Sequence, residues 1–349
     1  MKKHLIPVNA TIIEALEKLN LLSGEVMTLF AISDNGRLEG SLTDGDIRRA
    51  LLKGTALSDS VTMAMNRNFH RFNPDDANQI PELRKKGVKL LPVVNTEGVV
   101  TELIDLTTTR ARLPLNAILM AGGLGERLRP MTLTTPKPLL RIEGKAIIDY
   151  NIEMLSSVGV RDITVACRYL AEKLEDHFKN EIAGVKVRTV REINPMGTIG
   201  AVANINIPEE GNTIVMNSDI LTSLRFEEMY MRHIAEGADI TIAAIPYTVS
   251  VPYAILATEN ERVTSLVEKP SYSYFANAGI YIFRNSVLRT VEKDKRTDAT
   301  TLIEQTIECG GKVIFFPING TWIDIGTPAD FNHAIEMMRH HKNFEQKQS

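Results

Sequence analysis

The sequence predicts an α/β protein in which a doubly wound, mostly parallel sheet follows a smaller α/β module. Beyond residue 116, apolar runs of strand length alternate with amphipathic segments of helix length. Before residue 110, the order helix, strand, turn, strand and helix occurs twice, over roughly 50 residues each time. Between these regions, "RARLPLN" (110–116) carries charge and a proline, which favours a linker. The chain is therefore expected to contain two domains of different construction.

Length and composition support this division and exclude several classes of protein. At 349 residues and 38.8 kDa, the chain exceeds one typical domain. A net charge of −3 predicts no nucleic-acid binding through a basic face. No run of about 18 apolar residues occurs, so we expect no membrane partner. Cys167 and Cys309 match no metal-ligand spacing and are predicted to be reduced thiols of a cytoplasmic protein.

The first domain, 1–110, is predicted to consist of two similar units. Residues 12–20 have the apolar spacing of a helix, and 26–33 form a strand before the turn "DNGR". Residues 39–54 then run from a strand into a helix. The second unit repeats the order, with a helix over 77–87, a strand over 88–95 and the segment "VVTELIDLTTT" (99–109).

The second domain, 116–342, follows a linker at 111–115 and precedes a polar tail at 343–349. Its apolar runs predict strands at 116–121, 162–167, 185–190, 213–217, 239–245 and 278–283. Its amphipathic segments predict helices near 145–158, 170–178, 197–206, 225–236, 300–309 and 328–341. Alternating strands and helices are typical of a doubly wound, Rossmann-like sheet.

A glycine-rich loop, "LMAGGLGERLRPMTLTTPKPLL" (119–140), follows the first strand of the second domain. Its glycines, Gly122, Gly123 and Gly125, let a ligand approach the backbone amides, which can form an anion nest. Arg127 and Lys137 add full positive charges. The loop lacks the third glycine of a dinucleotide fingerprint and the G-K-[ST] of a P-loop. It is therefore predicted to bind phosphate through neither of these common motifs.

The string GG-x-G-x-R-L-x-P-x-T…PKPLL in this loop resembles the signature of the sugar-phosphate nucleotidylyltransferases. These enzymes join a nucleoside triphosphate to a sugar 1-phosphate and release pyrophosphate. The resemblance implies that Ala121 and the three glycines bind the nucleotide. It also implies catalytic roles for Arg127 and Lys137, with Lys137 offsetting charge on the departing pyrophosphate.

Two carboxylates downstream fit the same family. "NTIVMNSD" (212–219) is an apolar run that ends in Asp219, although Ser218 stands where the family has glycine. "TWIDIGTPADF" (321–331) matches the W-x-D-x-G-T-P segment and contains Asp324. The resemblance implies that both aspartates bind Mg²⁺ as cofactor, and that Asp219 also contacts the nucleotide. Two carboxylates plus substrate phosphates are a usual way to hold this ion.

Further motifs of the family occur in the expected order. "SLVEKP" (265–270) matches its E-K-P motif, which assigns Glu268 to sugar hydroxyls and Lys269, as a catalytic residue, to the sugar phosphate. "FANAGIYIF" (275–283) matches the strand beside the sugar, which assigns sugar contacts to Asn277 and Gly279. In "VPYAIL", Ala254 replaces a glycine that many relatives carry near the sugar, which leaves the sugar undetermined.

The segment "EINPMGTIGAV" (192–202) resembles the family's loop near the nucleoside. The resemblance implies that Gly197, Thr198 and Gly200 contact the base and ribose. Glu192 is a candidate acceptor for the N1–H and amino groups of guanine.

The paired units of the first domain resemble tandem CBS domains. "GSLTDGDIRRAL" (40–51) has the G-x-x-T-x-x-D pattern, which implies that Thr43 and Asp46 bind an adenine nucleotide. In the second unit, Thr101 matches the threonine, but Ile104 stands where the acid is expected. Some CBS pairs bind no ligand and serve only in dimerisation or packing. We expect a homo-oligomer that associates through this module.

The sequence thus predicts a cytoplasmic nucleotidylyltransferase with GTP favoured, most like the bacterial sugar-1-phosphate guanylyltransferases of surface-glycan or nonulosonate synthesis. Thymidylyl or uridylyl transfer is an alternative within the family. A nucleotide sensor without catalysis is an alternative of another class.

Overall fold

The computed structural model describes residues 1–73 and 79–345. It divides into two compact units, Met1–Arg112 and Leu113–Ser349. The strands of the first unit are β1 (Leu5–Pro7), β2 (Thr28–Ile32), β3 (Leu38–Thr43), β4 (Leu90–Val94) and β5 (Val100–Asp105). Its helices are α1 (Ile12–Leu21), α2 (Asp44–Leu51) and α3 (Gln79–Lys85). The first two residues of the helix predicted over 77–87 lie outside the described residues.

The second unit contains the larger sheet. Its strands are β6 (Leu115–Ala121), β7 (Arg141–Ile142), β8 (Lys145–Ala146), β9 (Ile163–Cys167), β10 (Arg188–Arg191), β11 (Asn212–Asn217), β12 (Ile220–Thr222), β13 (Ile240–Ser250), β14 (Ile255–Glu259), β15 (Arg262–Val267), β16 (Ser271–Arg284), β17 (Val313–Pro317) and β18 (Trp322–Asp324). Its helices are α4 (Ile147–Ser157), α5 (Ala171–His177), α6 (Phe226–Ala235), α7 (Asn285–Leu288), α8 (Ala299–Glu308) and α9 (Pro328–Glu345).

Seven strands of the described residues form the central sheet, in the order β10-β9-β6-β11-β16-β13-β17. All neighbours are parallel except where β16 runs against β11 and β13. The inner strands are buried apolar runs, and β9 is buried at every residue, as expected for a sheet covered on both faces. The prediction of an α/β fold with a mostly parallel central sheet is confirmed.

In the first unit, β1, β2 and β3 form one sheet, and β4 and β5 form a separate antiparallel pair. Apolar residues of α1, β2 and α2 share one core, which includes Ile12, Leu29 and Ile47. Within the described residues, no helix follows β5, so the predicted second repeat is incomplete there. Asp105 explains this, because its side chain accepts hydrogen bonds from the amide and hydroxyl of Thr107 and forms a turn instead.

Three other predictions differ from the structure. Residues 197–206 contain a short 3₁₀ helix over Gly200–Asn204 instead of an α-helix, because the amides of Ile199 and Gly200 donate to the Thr297 carbonyl. The linker expected at 111–115 is partly ordered, since Leu113 donates to the Val158 carbonyl and residue 115 begins β6. Helix α9 reaches residue 345, and 346–349 of the predicted tail lie outside the described residues.

Several strands of the second unit were not predicted, namely β7, β8, β12, β14, β15, β17 and β18. Strands β13 and β16 also extend beyond the expected limits, to Ser250 and from Ser271. Across the described ranges, no helix is both long and apolar enough to cross a membrane.

Candidate active site

The predicted site lies at the carboxyl edge of the central sheet. Strands β9 and β11 pair in parallel on opposite sides of β6, so connections from these strands leave in opposite directions. Such a switch point opens a crevice in α/β sheets where ligands commonly bind. Ala121 ends β6, Cys167 ends β9 and Asn217 ends β11 at this edge.

The glycine-rich loop leaves β6 at this edge and is ordered by its own hydrogen bonds. It contains three 3₁₀ turns, over Glu126–Leu128, Met131–Leu133 and Lys137–Leu139. Gly125 begins the first turn in the left-handed region, with φ +62°, where glycine is favoured. The buried Thr132 hydroxyl donates to the Gly125 carbonyl at 2.8 Å. The loop therefore has a fixed internal conformation.

Two side chains, one just before helix α5 and one within it, contact backbone carbonyls of this loop. The Tyr169 hydroxyl lies 3.0 Å from the carbonyl oxygen of Thr132 and 3.2 Å from that of Leu133. The ammonium group of Lys173 donates to the Thr134 carbonyl. Neither Tyr169 nor Lys173 was predicted from the sequence, because no motif of the loop includes them. They attach the glycine-rich loop to the segment that follows β9 and includes α5.

Lys137 brings the two predicted metal-binding carboxylates together. Its ammonium group forms an ion pair with Asp219, and its Nζ lies 3.7 Å from Oδ1 of Asp324. The Lys137 side chain is only 12% exposed. Strands β12 and β18 align the aspartates, because Ile220 pairs with Asp324 in the register. Residues far apart in sequence therefore form one charged cluster beside the glycine loop.

The Asp219 carboxylate is held with one oxygen unsatisfied. Its Oδ1 is buried and has no hydrogen-bond partner among the described residues. The preceding Ser218 is fixed on both sides, since its hydroxyl donates to Met120 and its carbonyl accepts from the buried Asn151. The serine that replaces the family's glycine is thus accommodated by a backbone acceptor. An unpaired buried carboxylate oxygen is costly, and a cation ligand would satisfy it.

Burial raises the pKa of the Asp324 carboxyl, and the nearby Asp219 charge raises this pKa further. Lys137 and Arg127 oppose both effects. The Arg127 guanidinium lies against Gly326, where a Cβ would be 3.0 Å from Nη2. The sequence pointed to the segment around Asp324 but did not predict that Gly326 leaves space for Arg127.

Glu192 is buried beside the start of the glycine loop. It is 5% exposed, and a Cβ on Gly122 would lie 2.9 Å from Oε1 of Glu192. The Glu192 amide donates to the Cys167 carbonyl at the end of β9. Burial raises the pKa of the Glu192 carboxyl, while a hydrogen bond from the Met196 backbone lowers it. This carboxylate is therefore fixed next to the predicted nucleotide loop.

The predicted nucleoside residues Gly197 and Thr198 make intramolecular contacts. Gly197 has φ +83°, and a Cβ there would lie 2.5 Å from the Thr297 carbonyl oxygen. The Thr198 amide donates to Asp298, and the Thr198 hydroxyl accepts from the Ala299 amide at the start of α8. These contacts attach the loop to α8, and the nucleoside role stays a prediction.

The predicted sugar residues on β16 are close to the end of β11. Gly279 has φ +69°, and a Cβ there would be 2.7 Å from Nδ2 of Asn217. The Asn277 side chain accepts from the Gly279 amide and donates to the Tyr281 hydroxyl. Trp322 donates to the Ala278 carbonyl at 2.9 Å, which joins β18 to the same strand. The glycine is thus required by close packing as well as by its backbone conformation.

Glu268 and Lys269 lie in the exposed turn between β15 and β16. Lys269 has φ +42°. In the part of the chain that the structure describes, neither side chain forms an ion pair with the Lys137 cluster. Their assignment to the sugar phosphate remains a prediction.

Over residues 1–73 and 79–345, no group of three or more His, Cys, Asp or Glu side chains is arranged to hold a metal ion. Asp219 and Asp324 are therefore a pair that would need ligands from a substrate to complete a site. Cys167 is buried, Cys309 is exposed, and both are free thiols.

In the first unit, Thr43 and Asp46 cap α2 and line a cavity of about 400 Å³. The Thr43 hydroxyl donates to Asp46 at 2.6 Å, and Arg49 pairs with the other carboxylate oxygen. Cavity residues outside this cap include Phe30, Phe69, His70, Lys86 and Lys89.

The strand registers of the two halves show that Thr101 is wrongly matched to the threonine of the G-x-x-T-x-x-D pattern. Thr28 pairs with Thr43, and Leu90 pairs with Asp105, so Asp105 takes the place of Thr43 in the second half. Thr101 instead donates to the Val93 carbonyl.

The fold and the charged cluster beside a glycine loop define an enzyme class that handles nucleotides. Residues 116–341 match the nucleotidyl transferase family, and the chain belongs to this family.

Among curated relatives, the chain is 30% identical over 237 residues to a putative mannose-1-phosphate guanyltransferase from Sulfolobus acidocaldarius, covering 66% of each chain. It is 34% identical over 242 residues to the mannose-1-phosphate guanylyltransferase catalytic subunit beta from Drosophila melanogaster, covering 67% of this chain and 64% of the relative. The match thus spans just under two thirds of each of these relatives, 66% and 64%.

Among solved structures, HddC from Yersinia pseudotuberculosis has a TM-score of 0.51 and 28% identity, covering 64% of this chain and 99% of that one. HddC complexed with GMP-PN has a TM-score of 0.50 and 27% identity, with the same coverage.

Proposed function

We propose that this protein transfers a nucleotidyl group from a nucleoside triphosphate to a sugar 1-phosphate and releases pyrophosphate. The observation that carries the proposal is the cluster of Lys137, Asp219 and Asp324 beside the glycine loop. Relatives named mannose-1-phosphate guanylyltransferases and the GMP-PN complex of HddC support GTP as donor. We further propose a role in making precursors of surface glycans or nonulosonates. Thymidylyl or uridylyl transfer is the alternative within the family.

The proposed reaction needs positioning and charge neutralisation more than acid–base chemistry. The phosphate oxygen of the sugar 1-phosphate is already ionised, so it can attack the α-phosphorus without a general base. Amides of the glycine loop and Arg127 bind the triphosphate, and Lys137 neutralises charge on the leaving pyrophosphate. Lys269 orients the attacking phosphate when the turn between β15 and β16 contacts the bound substrate. Glu192 accepts hydrogen bonds from the guanine edge.

We propose Mg²⁺ as cofactor, held by Asp219 and Asp324 together with substrate phosphates. The unpaired, buried Oδ1 of Asp219 fits this ion, because carboxylate oxygens are its preferred protein ligands. When bound, the ion would neutralise phosphate charge and align the triphosphate. Lys137 then exchanges its carboxylate partners for phosphate oxygens.

The test is a matrix of four nucleoside triphosphates against several sugar 1-phosphates with Mg²⁺, scored by pyrophosphate release. We expect turnover with GTP, and Asp219→Asn should lose about a hundredfold or more while keeping its melting temperature. No pyrophosphate release with any combination of nucleotide and sugar 1-phosphate would favour a nucleotide sensor without catalysis. Normal Mg²⁺-dependent turnover by Asp219→Asn would refute the metal assignment.

For the first unit we propose a CBS-like module that binds an adenine nucleotide in the cavity lined by Thr43 and Asp46. Asp46 can accept from ribose hydroxyls, while Lys86 and Lys89 supply charge for phosphate. The proposed homo-oligomer through this module belongs to the same hypothesis. An adenine nucleotide that alters neither the melting temperature nor the activity would refute the regulatory role.

A further inference from the structure

Arg168 follows strand β9 directly, at the carboxyl edge of the central sheet. Cys167, the last residue of β9, pairs in parallel with Arg191 of β10. The Glu192 amide donates to the Cys167 carbonyl, so the pairing of the two strands reaches Glu192. Arg168 and Glu192 therefore occupy neighbouring positions at the ends of neighbouring strands. The sequence motifs do not include Arg168, which reaches this place through the strand register.

Strand alternation puts Arg168 and Glu192 on the face of the sheet that helix α5 does not cover. Arg191 forms two hydrogen bonds with Glu175 of α5, so its side chain lies on the α5 face. Successive strand residues point to opposite faces, which places Glu192 on the other face, and Arg168 stands at the matching position on β9. There a Cβ on Gly122 would lie 2.9 Å from Oε1 of Glu192. Because β9 lies between β10 and β6, the Glu192 carboxylate reaches past the end of β9 toward the glycine loop.

The charge of Arg168 acts on Glu192, although the two side chains do not form an ion pair. Burial raises the pKa of the Glu192 carboxyl, while a backbone hydrogen bond from Met196 and the charge of Arg168 lower this pKa. Among the described residues, the guanidinium of Arg168 forms no hydrogen bond and no ion pair. The side chain is half-buried and has five N–H donors. A group of donors and an acceptor-only carboxylate thus lie side by side, which suits a ligand that bonds to both.

Guanine is the nucleobase whose edges match this pair of side chains. Its N1–H and amino groups are adjacent donors for a carboxylate, and its O6 and N7 are adjacent acceptors for an arginine. Bidentate donation to O6 and N7 is the commonest specific contact to guanine in protein–DNA complexes. Adenine presents an amino donor beside N7, so an arginine would meet a donor there. Uracil and thymine offer a carboxylate one ring N–H, flanked by carbonyl oxygens that repel it.

We propose that Arg168 is a specificity-determining residue that donates to O6 and N7 of guanine, while Glu192 binds the N1–H and amino groups of the same base. The inference rests on the proposed function, in which GTP is the donor, and adds a residue to it. The ends of two paired strands carry both side chains, so the sheet fixes their separation. The charge of Arg168 also favours the ionised form of Glu192, which accepts hydrogen bonds and donates none.

The test is calorimetric titration of the full chain with GTP, 7-deaza-GTP, inosine triphosphate and ATP, with Mg²⁺ and without a sugar phosphate. The first analogue lacks N7 and reports the contact of Arg168, whereas inosine triphosphate lacks the amino group and reports the contact of Glu192. We expect the wild type to bind GTP about tenfold more tightly than either analogue. In Arg168→Met, the affinity for GTP should fall about tenfold or more. The penalty for 7-deaza-GTP should then disappear, while the penalty for inosine triphosphate remains.

Arg188→Met is the matched control, because Arg188 begins β10 at the opposite edge of the sheet and pairs with Asp162. It should leave all four affinities unchanged. A wild type that binds GTP no more tightly than ATP or 7-deaza-GTP would overturn the proposal, whatever the stability of the variant. Equal losses for GTP and 7-deaza-GTP in Arg168→Met would assign Arg168 to the phosphates and would also overturn it.

Pyrophosphate release, measured separately on the same protein, tests the proposed function. Selective binding that depends on Arg168, with no release for any sugar 1-phosphate, would refute the proposed activity and support the role of Arg168. Release with GTP, together with an unchanged preference among the four nucleotides in Arg168→Met, would support the activity and overturn the role of Arg168.

Discussion

The ammonium group of Lys137 forms an ion pair with Asp219, and its Nζ lies 3.7 Å from the carboxylate of Asp324. One cation thus separates two carboxylates at the position where metal-bound phosphates are proposed. This lysine shows how the site is stabilised before substrate binds. Without Lys137, two neighbouring carboxylates would repel each other in a partly buried site.

We therefore predict that Lys137→Met lowers stability and makes it depend on Mg²⁺. Loss of the ammonium leaves Asp219 and Asp324 uncompensated, which should cost about 1–2 kcal/mol in this partly exposed site. Added Mg²⁺ should restore the melting temperature of Lys137→Met, and should raise that of the wild type less. The measurement is a thermal melt with and without the ion. The double variant Lys137→Met with Asp219→Asn is the control and should show little Mg²⁺ response; an equal response there would contradict the assignment.

The members of the cluster could be named from the sequence because each lies in a stretch that resembles a motif of the family, but the ion pairs of Lys137 with the two aspartates were not predicted. Asp219 follows a buried apolar run, and the carboxyl ends of parallel strands meet at one edge of a sheet. The side chains that hold the glycine-rich loop could not be predicted in this way. Tyr169 and Lys173 act through backbone carbonyls of the loop, and backbone contacts impose no recognisable spacing on the sequence.

The failed predictions also have physical causes. The helix expected at 197–206 is overridden by the Thr297 carbonyl, a tertiary acceptor about a hundred residues away. The Thr101 match failed because a repeat with few shared residues does not fix strand register. Strands β14 and β15 were not predicted because their apolar residues lack the alternation that a half-buried hairpin would show.

Tyr169→Phe should weaken nucleotide binding more than it weakens the fold. The lost hydroxyl donates to the loop carbonyls of Thr132 and Leu133, so the loop should become less ordered. We expect KM for the nucleoside triphosphate to rise several-fold, with a stability loss of about 1 kcal/mol. Steady-state kinetics with varied nucleotide measures this change.

Tyr150→Phe is the matched control for this experiment. Its hydroxyl also donates to a backbone carbonyl, that of Ile142 at 2.9 Å, outside the glycine-rich stretch. It should cost similar stability but leave KM unchanged. Equal KM effects in both variants would show that Tyr169 has no special influence on the loop.

His233 should make the second unit sensitive to acid. Burial lowers the pKa of this histidine to about 4, with a smaller effect from Arg284, and its ring is hydrogen-bonded to Thr241 and Asn212. The unfolded chain takes up a proton below its ordinary pKa of 6.5, while the folded protein does not until about pH 4. The free energy of unfolding should therefore fall by about 3 kcal/mol between these values.

Urea unfolding followed by Trp322 fluorescence measures this loss at a series of pH values. His233→Gln is the control, because it keeps a polar side chain that cannot take up the proton. It should be less stable at neutral pH but should lose less stability in acid. Parallel pH profiles for the two proteins would contradict the role of His233.

Gly326→Ala should displace the Arg127 guanidinium without unfolding the protein. An added Cβ would lie 3.0 Å from Nη2 of Arg127, and Gly326 is not among the residues with positive φ, so alanine fits its backbone. We expect kcat/KM to fall about tenfold, which corresponds to about 1.4 kcal/mol, while the melting temperature changes little. The decisive measurement is a double-mutant cycle with Arg127→Ala. If Gly326 acts only by leaving space for Arg127, its substitution should have no further effect once that arginine is removed, whereas fully additive losses would show that the glycine serves the site in another way.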